Sequence, residues 1–471
     1  MILVIDITKG IQTQTAECLV IGEVTCQKMI VVLNKTDLLP EGERAVLVDK
    51  VTGLYISLQM RKRMKLTLAN SVFKDAPIVS TAAKPGGSED SQPSLPIGLQ
   101  DLIETLQKFA FVPERHASSP FLFAVDHCFS VRGQGTVLTG TVLQGTVNVN
   151  DTVEIPSIHT TKKVKSMQMF KKPVEHAVQG DRIGICLTQF DPKQLERGIA
   201  CKPGYVPTIT AAIISVQKIK YFKGNVNTKA KFHISIGHET VMAKLSFFGL
   251  LRYSSSAAND DTFDFDREYK FQDELLLDLQ CDSQGVTVNE MPVKQFALLE
   301  FEKPVLAVPN CLLIGSKLDT DIHTSSCRLA FWGHLLESLE DKNYSTVLPR
   351  LKIYKEKCKR GVVDRASNQY EVIGKNMFKK ETNIQLFVGL QVELSTGEVG
   401  VIESSFGQSG KVKIRIPDGL KESTSTLLSG MTKKKGKQSA PQSNSPDSEP
   451  IQIVLHFRRY IYDPKKKIVQ S

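Results

Sequence analysis

Between residues 121 and 145, apolar residues alternate with polar residues on both sides of a short glycine-rich stretch. The alternating apolar positions before Gly133-Gln134-Gly135 are Phe121, Phe123, Val125, Phe129 and Val131, and those after it include Val137 and Val142. A period of two predicts β-strands, and the glycines between them predict a turn. We therefore expect a β-hairpin, and two further glycines, Gly140 and Gly145, indicate a strongly bent barrel strand.

The same alternation recurs along most of the remaining chain. Strands at 152–155, 163–169 and 182–187 are predicted to complete a six- or seven-stranded barrel with the hairpin. A second block of strands is predicted at 208–218, 228–236, 240–248, 295–301 and 311–318, and a third at 384–394, 399–403, 411–416 and 451–462. The chain after residue 113 is therefore predicted to be built from β-barrels.

The first 113 residues follow a different pattern. Short apolar runs at 1–6, 29–33 and 77–80 alternate with helical periodicity at 15–26, 43–70 and 99–109. This order predicts a parallel α/β sheet. The predicted fold class is thus α/β plus β-barrels: an α/β domain at 1–113, barrels at 114–204 and 205–340, and a small barrel domain at 341–471.

Composition limits the class of protein. A chain of 471 residues is too long for one hydrophobic core. No apolar run approaches the roughly 18 residues that a membrane span requires, so no membrane partner is expected. The nine cysteines are scattered singly, which indicates neither a zinc site nor a disulfide framework and fits a reducing compartment.

Charge is distributed unevenly. The net charge is +10, yet residues 345–471 hold 23 Lys and Arg against 12 Asp and Glu, so the basic character is entirely C-terminal. Residues 259–290 hold ten Asp and Glu with only Arg267 and Lys270, and we expect an acidic insertion at 252–292 within the third domain. Residues 430–450 are rich in Ser, Pro, Gln and Lys and are predicted to be a disordered loop.

Two motifs at predicted strand ends indicate a guanine nucleotide. Asn34-Lys35-Thr36-Asp37 follows the second strand, where open α/β sheets bind ligands. It resembles the guanine-specificity motif of GTPases, and Ala82-Ala83-Lys84 after the next strand resembles their second guanine loop. By this resemblance Asn34 would contact the base edge, Lys35 would lie along the ring, and Asp37 would accept from guanine nitrogens. The backbone N–H of the second loop would meet the guanine oxygen.

The phosphate-binding half of such a domain is absent from the sequence. The chain contains no Gly-x-x-x-x-Gly-Lys-Ser/Thr motif, whose amides and lysine hold phosphates and whose hydroxyl holds magnesium. We interpret the chain as truncated at its N-terminus. GTP or GDP is the expected cofactor of the family, with magnesium, but we expect the chain alone not to hydrolyse GTP.

Gly133, Gly135, Thr136, Val137 and Gly140 match a pattern of the second domain of translational GTPases, Gly-x-Gly-Thr-Val-x-x-Gly. From Met1 to Ser471 the chain resembles the eukaryotic selenocysteine-specific elongation factors. This resemblance implies delivery of selenocysteinyl-tRNA to the ribosome at UGA codons, with the SECIS RNA and the SECIS-binding protein as further partners. Two alternatives stay open: a non-catalytic fragment that binds RNA or protein, and another tRNA carrier of the general elongation or initiation type.

Three residues separate this family from general tRNA carriers. General carriers have two acids before the Val-Phe of the hairpin and a neutral residue after the later Gly-Asp turn, whereas this chain has Asp126, His127 and Arg182. Selenocysteine is acidic enough to arrive as an anion, which His127 and Arg182 could pair. In a regular strand Asp126 and His127 face opposite sides, so both reach one pocket only if the strand has a bulge. Without a bulge, the position of His127 is equally compatible with a residue that only packs in the barrel.

The basic C-terminal module is the predicted RNA-binding part of the chain, since cations near phosphates release counterions. The candidate residues are Lys433, Lys434, Lys435, Arg458, Arg459, Lys465, Lys466 and Lys467. The lysine runs are also compatible with a solvated tail or with a nuclear-localisation patch. We expect a cytoplasmic protein, with the nucleus as an additional location.

Overall fold

The computed structural model describes residues 1–39, 52–69, 71–86, 95–251, 262–277, 292–319, 327–340, 344–407, 410–434, 450–465 and 468–470, with backbone alone for 52–58 and 430–434. The chain divides into two compact units. The first comprises Met1–Phe247, Asp273–Gln284 and Gln295–Lys342, and the second comprises Phe248–Gln272, Gly285–Lys294 and Asn343–Ser471. None of the described helices is long and apolar enough to cross a membrane.

The first unit begins with a small α/β domain. Its elements are β1 Ile2–Asp6, α1 Thr13–Thr25, β2 Ile30–Asn34, α2 Thr52–Leu68, β3 Ile78–Ser80 and α3 Leu99–Phe109. The strands are parallel in the order β1-β2-β3, and alternating side chains of β2, such as Val31 and Leu33, are fully buried. The predicted α/β arrangement is confirmed; residues 40–51, the start of the predicted long helix, lie outside the described residues.

A β-barrel follows in the same unit. Its strands are β4 Leu122–Val131, β5 Gly135–Gln144, β6 Thr146–Asn148, β7 Thr152–Ile155, β8 Thr160–Met169, β9 Lys172–Val174, β10 His176–Val178, β11 Arg182–Leu187 and β12 Gly198–Cys201. The sheet runs β11-β5-β4-β12-β7-β8-β9, and β11 also pairs with β8, which closes the barrel. Phe123, Val125, Leu138 and Val142 are fully buried inside it. The predicted hairpin is thus β4 and β5.

The second barrel of this unit uses the next block of alternating residues. Its strands are β13 Thr208–Ser215, β14 Gln217–Lys218, β15 Lys231–Ile236, β16 Glu239–Leu251, β18 Pro292–Leu306, β19 Leu312–Ser316 and β20 Leu329–Leu339. Strand β13 pairs with β18 and β20, and β15 pairs with β16 and β19, all antiparallel. Three aromatic side chains, Phe232, Phe247 and Phe331, pack edge to face at the centre of its core.

Helix α1 joins the α/β domain to this second barrel. Glu17 of α1 accepts from Arg328 Nε at 2.9 Å and from its Nη2 at 3.0 Å. Both side chains are largely buried, and Val20 packs nearby against Ile219 and Cys327. The Arg328 guanidinium holds the pKa of Glu17 below its usual value, although burial alone would raise it.

The second unit is built on a long strand. Its elements are β17 Glu268–Gln272, β21 Lys352–Asn368, β22 Glu371–Lys375, β23 Gln391–Leu394, β24 Val399–Phe406, β25 Lys411–Arg415, α4 Glu422–Lys434, β26 Gln452–Tyr460 and β27 Ile468–Val469. Strand β21 pairs with both β22 and β26, and β24 and β23 connect β25 to β26. The enclosed core contains Val372, Ile402, Ile414 and Ile453. The predicted small C-terminal barrel is therefore confirmed.

The acidic segment predicted as an insertion at 252–292 lies between β16 and β18 of the second barrel. Residues 262–272 belong to the second unit, where β17 pairs in parallel with β21. Aromatic side chains explain this: Tyr269 is fully buried and packs on Phe248 and Phe263. Residues 252–261 and 278–291 lie outside the described residues.

The segment predicted as a disordered loop at 430–450 begins inside a helix. Helix α4 ends at Lys434, and residues 435–449 lie outside the described part of the chain. The buried carboxylate of Glu398 accepts from Thr424 Oγ1 and from Lys421 N, which ties the start of the helix to the barrel, and Leu428 is buried. The helix thus extends five residues, 430–434, into the segment predicted to be disordered.

Candidate functional site

The first predicted motif lies at the end of β2, beside the loop after β3. Asn34 Oδ1 accepts from Ala83 N at 3.1 Å and from Thr81 Oγ1 at 3.2 Å. The Asn34 amide nitrogen is thereby directed away from the loop, because the carbonyl end of the group is held. The Ala83 N–H of the second guanine loop therefore donates within the protein. Ala82 is buried and pairs with Ile97.

Lys35 and Asp37 occupy the same edge of the sheet. Lys35 has a left-handed backbone, with φ of 65°, and its Nζ lies 2.8 Å from Asp6 Oδ2 at the end of β1. Hydrogen bonds from Lys35 and Thr8 hold the pKa of Asp6 well below its usual range. Asp37 Oδ2 accepts from Gly86 N at 3.3 Å, and Oδ1 accepts from no described residue.

These contacts bring the two predicted guanine motifs together. Lys84, which is exposed, lies between Ala83 and Gly86, the two residues that bond Asn34 and Asp37. An amide and a carboxylate at one sheet edge can contact a planar base that carries both acceptors and N–H donors. Such an edge rejects a base without matching donors, because the carboxylate would stay unpaired.

The predicted anion pocket lies on three neighbouring strands of the first barrel, in the order β11-β5-β4. Arg182 of β11 is opposite Thr141 of β5, and His127 of β4 is opposite Thr139. Partners that face one another across a sheet share a face, and residues two apart on one strand do so as well. Arg182 and His127 therefore lie on the same outer face of the barrel.

A bulge in β4 brings Asp126 to this face too. Val125 pairs with Gly140 and His127 pairs with Thr139, so Asp126 is the extra residue between them. A Cβ on Gly140 would lie 1.8 Å from the Ala124 carbonyl oxygen, and only glycine allows the two strands this close approach. The bulge that joint access of Asp126 and His127 requires is present.

Arg182 is held by two contacts at this position. Its Nη2 lies 2.8 Å from Asp126 Oδ2, and its Nη1 donates to Thr141 Oγ1 at 3.3 Å. The side chain of Arg182 is 62% exposed and that of Asp126 is 35% exposed. A guanidinium has five N–H donors, so most of its donors stay directed toward solvent. His127 is exposed beside them.

A cavity of about 470 Å³ adjoins Arg182 on this face. Its walls combine rings and apolar groups with amides and hydroxyls: Phe129, Val131, Val137, Phe170, Gln134, Gln168, Thr139 and Ser166. Sequence reasoning missed Phe170, Gln134 and Gln168 as site residues. Phe129 and Val131 could have been found, because they follow His127 at intervals of two on one face of the strand.

The predicted RNA contacts of the second unit have different surroundings. Arg458 is engaged: its Nη1 lies 3.6 Å from Glu268 Oε2, and its guanidinium stacks 4.6 Å from the centre of the Tyr354 ring. It therefore braces the module. Arg459 is half-buried and Lys465 is exposed. Lys433 and Lys434 end α4, and Lys435, Lys466 and Lys467 lie outside the described residues.

Models of known families match three successive parts of the chain. A model of elongation factor Tu domain 2 matches residues 135–200. A model of the third domain of eukaryotic selenocysteine-specific elongation factors matches residues 213–333. A model of the eEFSec C-terminal RIFT domain matches residues 349–466.

Whole proteins show the same likeness. The selenocysteine-specific elongation factor of Mus musculus is 52% identical over 497 residues, which span 100% of this chain and 83% of the mouse protein. That of Methanocaldococcus jannaschii is 32% identical over 246 residues, covering 52% of this chain and 48% of the relative.

Solved structures of elongation factor SelB from Methanococcus maripaludis share the fold. The apo form superposes with a TM-score of 0.63 at 24% identity, and the complex with the GTP analogue GppNHp superposes with a TM-score of 0.65 at 22% identity. Each match covers 98% of this chain and 84% of the solved chain. The expected fold class, an α/β domain followed by translation-factor barrels, is thereby confirmed.

Proposed function

Because the chain belongs to the family of eukaryotic selenocysteine-specific elongation factors, we propose that it carries selenocysteinyl-tRNA to the ribosome at UGA codons. The observation that carries this proposal is the outer face of the first barrel, where Arg182 pairs with Asp126, His127 is exposed on the same face, and a cavity adjoins Arg182. This face combines fixed positive charge with room for a nucleoside, and both are needed to recognise a charged amino acid on its tRNA.

The chemistry of selenocysteine suits this face. A selenol is more acidic than a thiol or an alcohol, so selenocysteine is an anion near neutral pH whereas serine is uncharged. Arg182 stays cationic at any physiological pH and retains N–H donors beyond those used by Asp126 and Thr141. A hydrogen bond to a charged group contributes about 1.5–3 kcal/mol, more than a neutral hydrogen bond.

Asp126 positions the guanidinium. A long, exposed arginine would otherwise sample many rotamers, and fixing it costs up to about 2 kcal/mol of side-chain entropy. The Asp126 carboxylate and the Thr141 hydroxyl already hold the guanidinium, so this side-chain entropy is lost before the anion binds. His127 lies diagonally across two strands, with its Cα roughly 12 Å from that of Arg182 by ideal sheet spacings, so the two side chains can approach one anion from opposite sides.

The cavity suits the terminal nucleoside. The amino acid is esterified to the ribose at the 3′ end of the tRNA, so this nucleoside must lie next to the amino acid pocket. The cavity begins at Arg182, and its volume of about 470 Å³ falls within the range of small-molecule sites. The ring of Phe129 offers a stacking surface, and the amides of Gln134 and Gln168 can meet the polar edges of a base.

GTP is the proposed nucleotide. The SelB structure that binds a GTP analogue shares the fold, and Asn34, Lys35 and Asp37 lie together at the sheet edge that would contact guanine. These residues fit the base. We assign no residue to the phosphates or to magnesium, because the sequence carries no phosphate-loop motif.

The C-terminal module is the proposed contact with further RNA. It carries the whole excess of positive charge, and such charge binds phosphates by releasing counterions. The SECIS RNA and the SECIS-binding protein are the partners that we propose for this module.

Arg182→Asn is the test of the pocket. We expect it to weaken binding of selenocysteinyl-tRNA by roughly 10- to 100-fold, the equivalent of about 1.5–3 kcal/mol, and to leave seryl-tRNA binding nearly unchanged. The measurement is competition between the two tRNAs at fixed salt and with GTP present. Arg115→Asn is the matched control, because Arg115 is also an exposed, acid-paired arginine of this barrel, 3.2 Å from Asp181. Equal losses for both tRNAs would place Arg182 on the tRNA body and refute the assignment.

A further inference from the structure

The two faces of the ribbon formed by β21 and β26 differ in how their charges are neutralised. On one face, Glu356 lies opposite Arg458 and also pairs with Lys270 at 2.7 Å. Glu268 accepts from the Tyr460 hydroxyl and pairs with Arg458. The acidic segment around β17 therefore neutralises this face.

Three cations of the opposite face have no such acidic partner among the described residues. Lys357 and Lys359 lie opposite Phe457 and Leu455, which are buried in the barrel core, and Arg459 follows Phe457 on the same face. Lys379 approaches from the segment after β22. We call Lys357, Lys359, Lys379 and Arg459 the cationic mouth, since the three on the ribbon share the side that carries the core residues Phe457 and Leu455. None of the four has an acidic group within 4.0 Å in the described part of the chain.

Lys359 is at the centre of this mouth. Its Nζ lies 4.8 Å from the centre of the Phe378 ring and 5.6 Å from that of Phe387. Burial lowers the pKa of Lys359, and the charges of Lys357 and Lys379 lower it further. The fold thus holds three like charges together, with Lys359 over two aromatic rings, and this arrangement costs stability until an anion neutralises it.

We propose that the cationic mouth binds consecutive phosphates of an RNA strand. This inference deepens the proposed function, on which it rests, by giving the C-terminal RNA contact a defined place. Lys357 and Lys359 are about 7 Å apart along one side of a strand, so their charges form a row rather than a point. A row of cations is typical of grooves that follow a nucleic-acid backbone.

The other lysines of the barrel show why the mouth is distinct. Lys375 and Lys411 both pair with Asp364, at 3.0 and 2.9 Å, and Lys413 pairs with Glu371 and Glu403. These three serve the fold, since their charges are already matched. They provide a control with the same number of lysines in the same barrel.

The test compares Lys357→Gln/Lys359→Gln/Lys379→Gln with Lys375→Gln/Lys411→Gln/Lys413→Gln in the full chain. The probe is a fluorescein-labelled oligouridylate, with binding measured by anisotropy over a series of salt concentrations. Each phosphate contact to a single strand contributes about 0.7 to the slope of log K against log salt, so the mouth variant should lose about 2 from this slope. Extrapolated from 1 M, that is roughly a 100-fold weaker affinity at 0.1 M salt. The control variant should keep the wild-type slope.

A footprint on the unmodified protein keeps the proposal testable if either variant folds poorly. Lysine acylation followed by mass spectrometry should show that the oligouridylate protects Lys357, Lys359 and Lys379 but not Lys375. If the chain binds the probe but Lys357, Lys359 and Lys379 stay unprotected, the inference is overturned and the proposed C-terminal RNA contact still stands. A chain whose binding to the probe shows no salt dependence would overturn both the inference and the proposed C-terminal RNA contact. Protection by an oligoglutamate peptide and not by the RNA would assign the mouth to an acidic protein instead.

Discussion

Gly140→Ala is expected to damage the anion pocket through the backbone alone. Gly140 lies in β5 opposite the bulge that carries Asp126, and a Cβ there would lie 1.8 Å from the Ala124 carbonyl oxygen and 3.0 Å from Phe123 Cζ. Cβ atoms do not approach other atoms closer than 3.0 Å, so the strands would have to separate by about 1.2 Å. Neither obstacle can swing aside, because one is backbone and the other is a fully buried ring.

The cost can be worked from this displacement. An N–H···O bond of about 2.9 Å would lengthen to about 4.1 Å, which is no longer a hydrogen bond. Two ladder bonds at about 0.5–1.5 kcal/mol each, added to about 1–3 kcal/mol for over-packing, give an expected loss of about 2–6 kcal/mol. Even the lower value would raise the open population of the β4–β5 amides, and with it their exchange rate, roughly 30-fold. The Arg182–Asp126 pair should loosen as well, because the bulge positions Asp126.

Hydrogen exchange followed by mass spectrometry on the hairpin peptides is the assay, and Gly184→Ala is its control. Gly184 lies in the neighbouring strand β11, where a Cβ would meet Val137 Cγ1 at an ordinary 3.4 Å. A compatible Gly→Ala change is neutral or stabilises by about 0.4–1 kcal/mol. Wild-type exchange in the hairpin of Gly140→Ala, or equal acceleration in both variants, would refute the reasoning.

Two further expectations concern carboxylates with lowered pKa values, whose stabilisation is present above the unfolded pKa of about 4.3 and is lost as the pH falls through the folded pKa. Glu17→Gln should lower the free energy of unfolding by about 1.5–3 kcal/mol at pH 7, because it weakens the bond to Arg328. Urea unfolding should show the difference between variant and wild type shrinking below about pH 4. A difference that does not depend on pH would contradict the role of charge. Burial would raise the pKa of Glu398, but hydrogen bonds from Thr396 and Thr424 outweigh it. Glu398→Ala should therefore unfold the start of α4 at neutral pH, seen as faster amide exchange at 422–428, and unchanged protection there would exclude Glu398 as its anchor.

Much of the local structure is determined by neighbouring residues in the sequence. The alternation around Gly133-Gln134-Gly135 requires two strands and a turn, and the hairpin has that form. The parallel sheet follows from apolar runs separated by helices, and it places Asn34 and Ala83 at one edge because parallel strands end on the same side. Helix α3 at Leu99–Phe109 matches its predicted bounds. Periods of two and of 3.6 are local properties, so the chain itself displays them.

The tertiary structure alone decides which charges are available. Arg182 and Asp126 are far apart in sequence, and their pairing depends on strand register and on a bulge that the close approach at Gly140 permits. Arg458 and Arg459 are adjacent and chemically identical, yet the sheet directs one to Glu268 and the other to the cationic mouth. Composition counts charges without their partners. Ion pairing acts through space between strands that the sequence separates, and therefore only the folded chain reveals it.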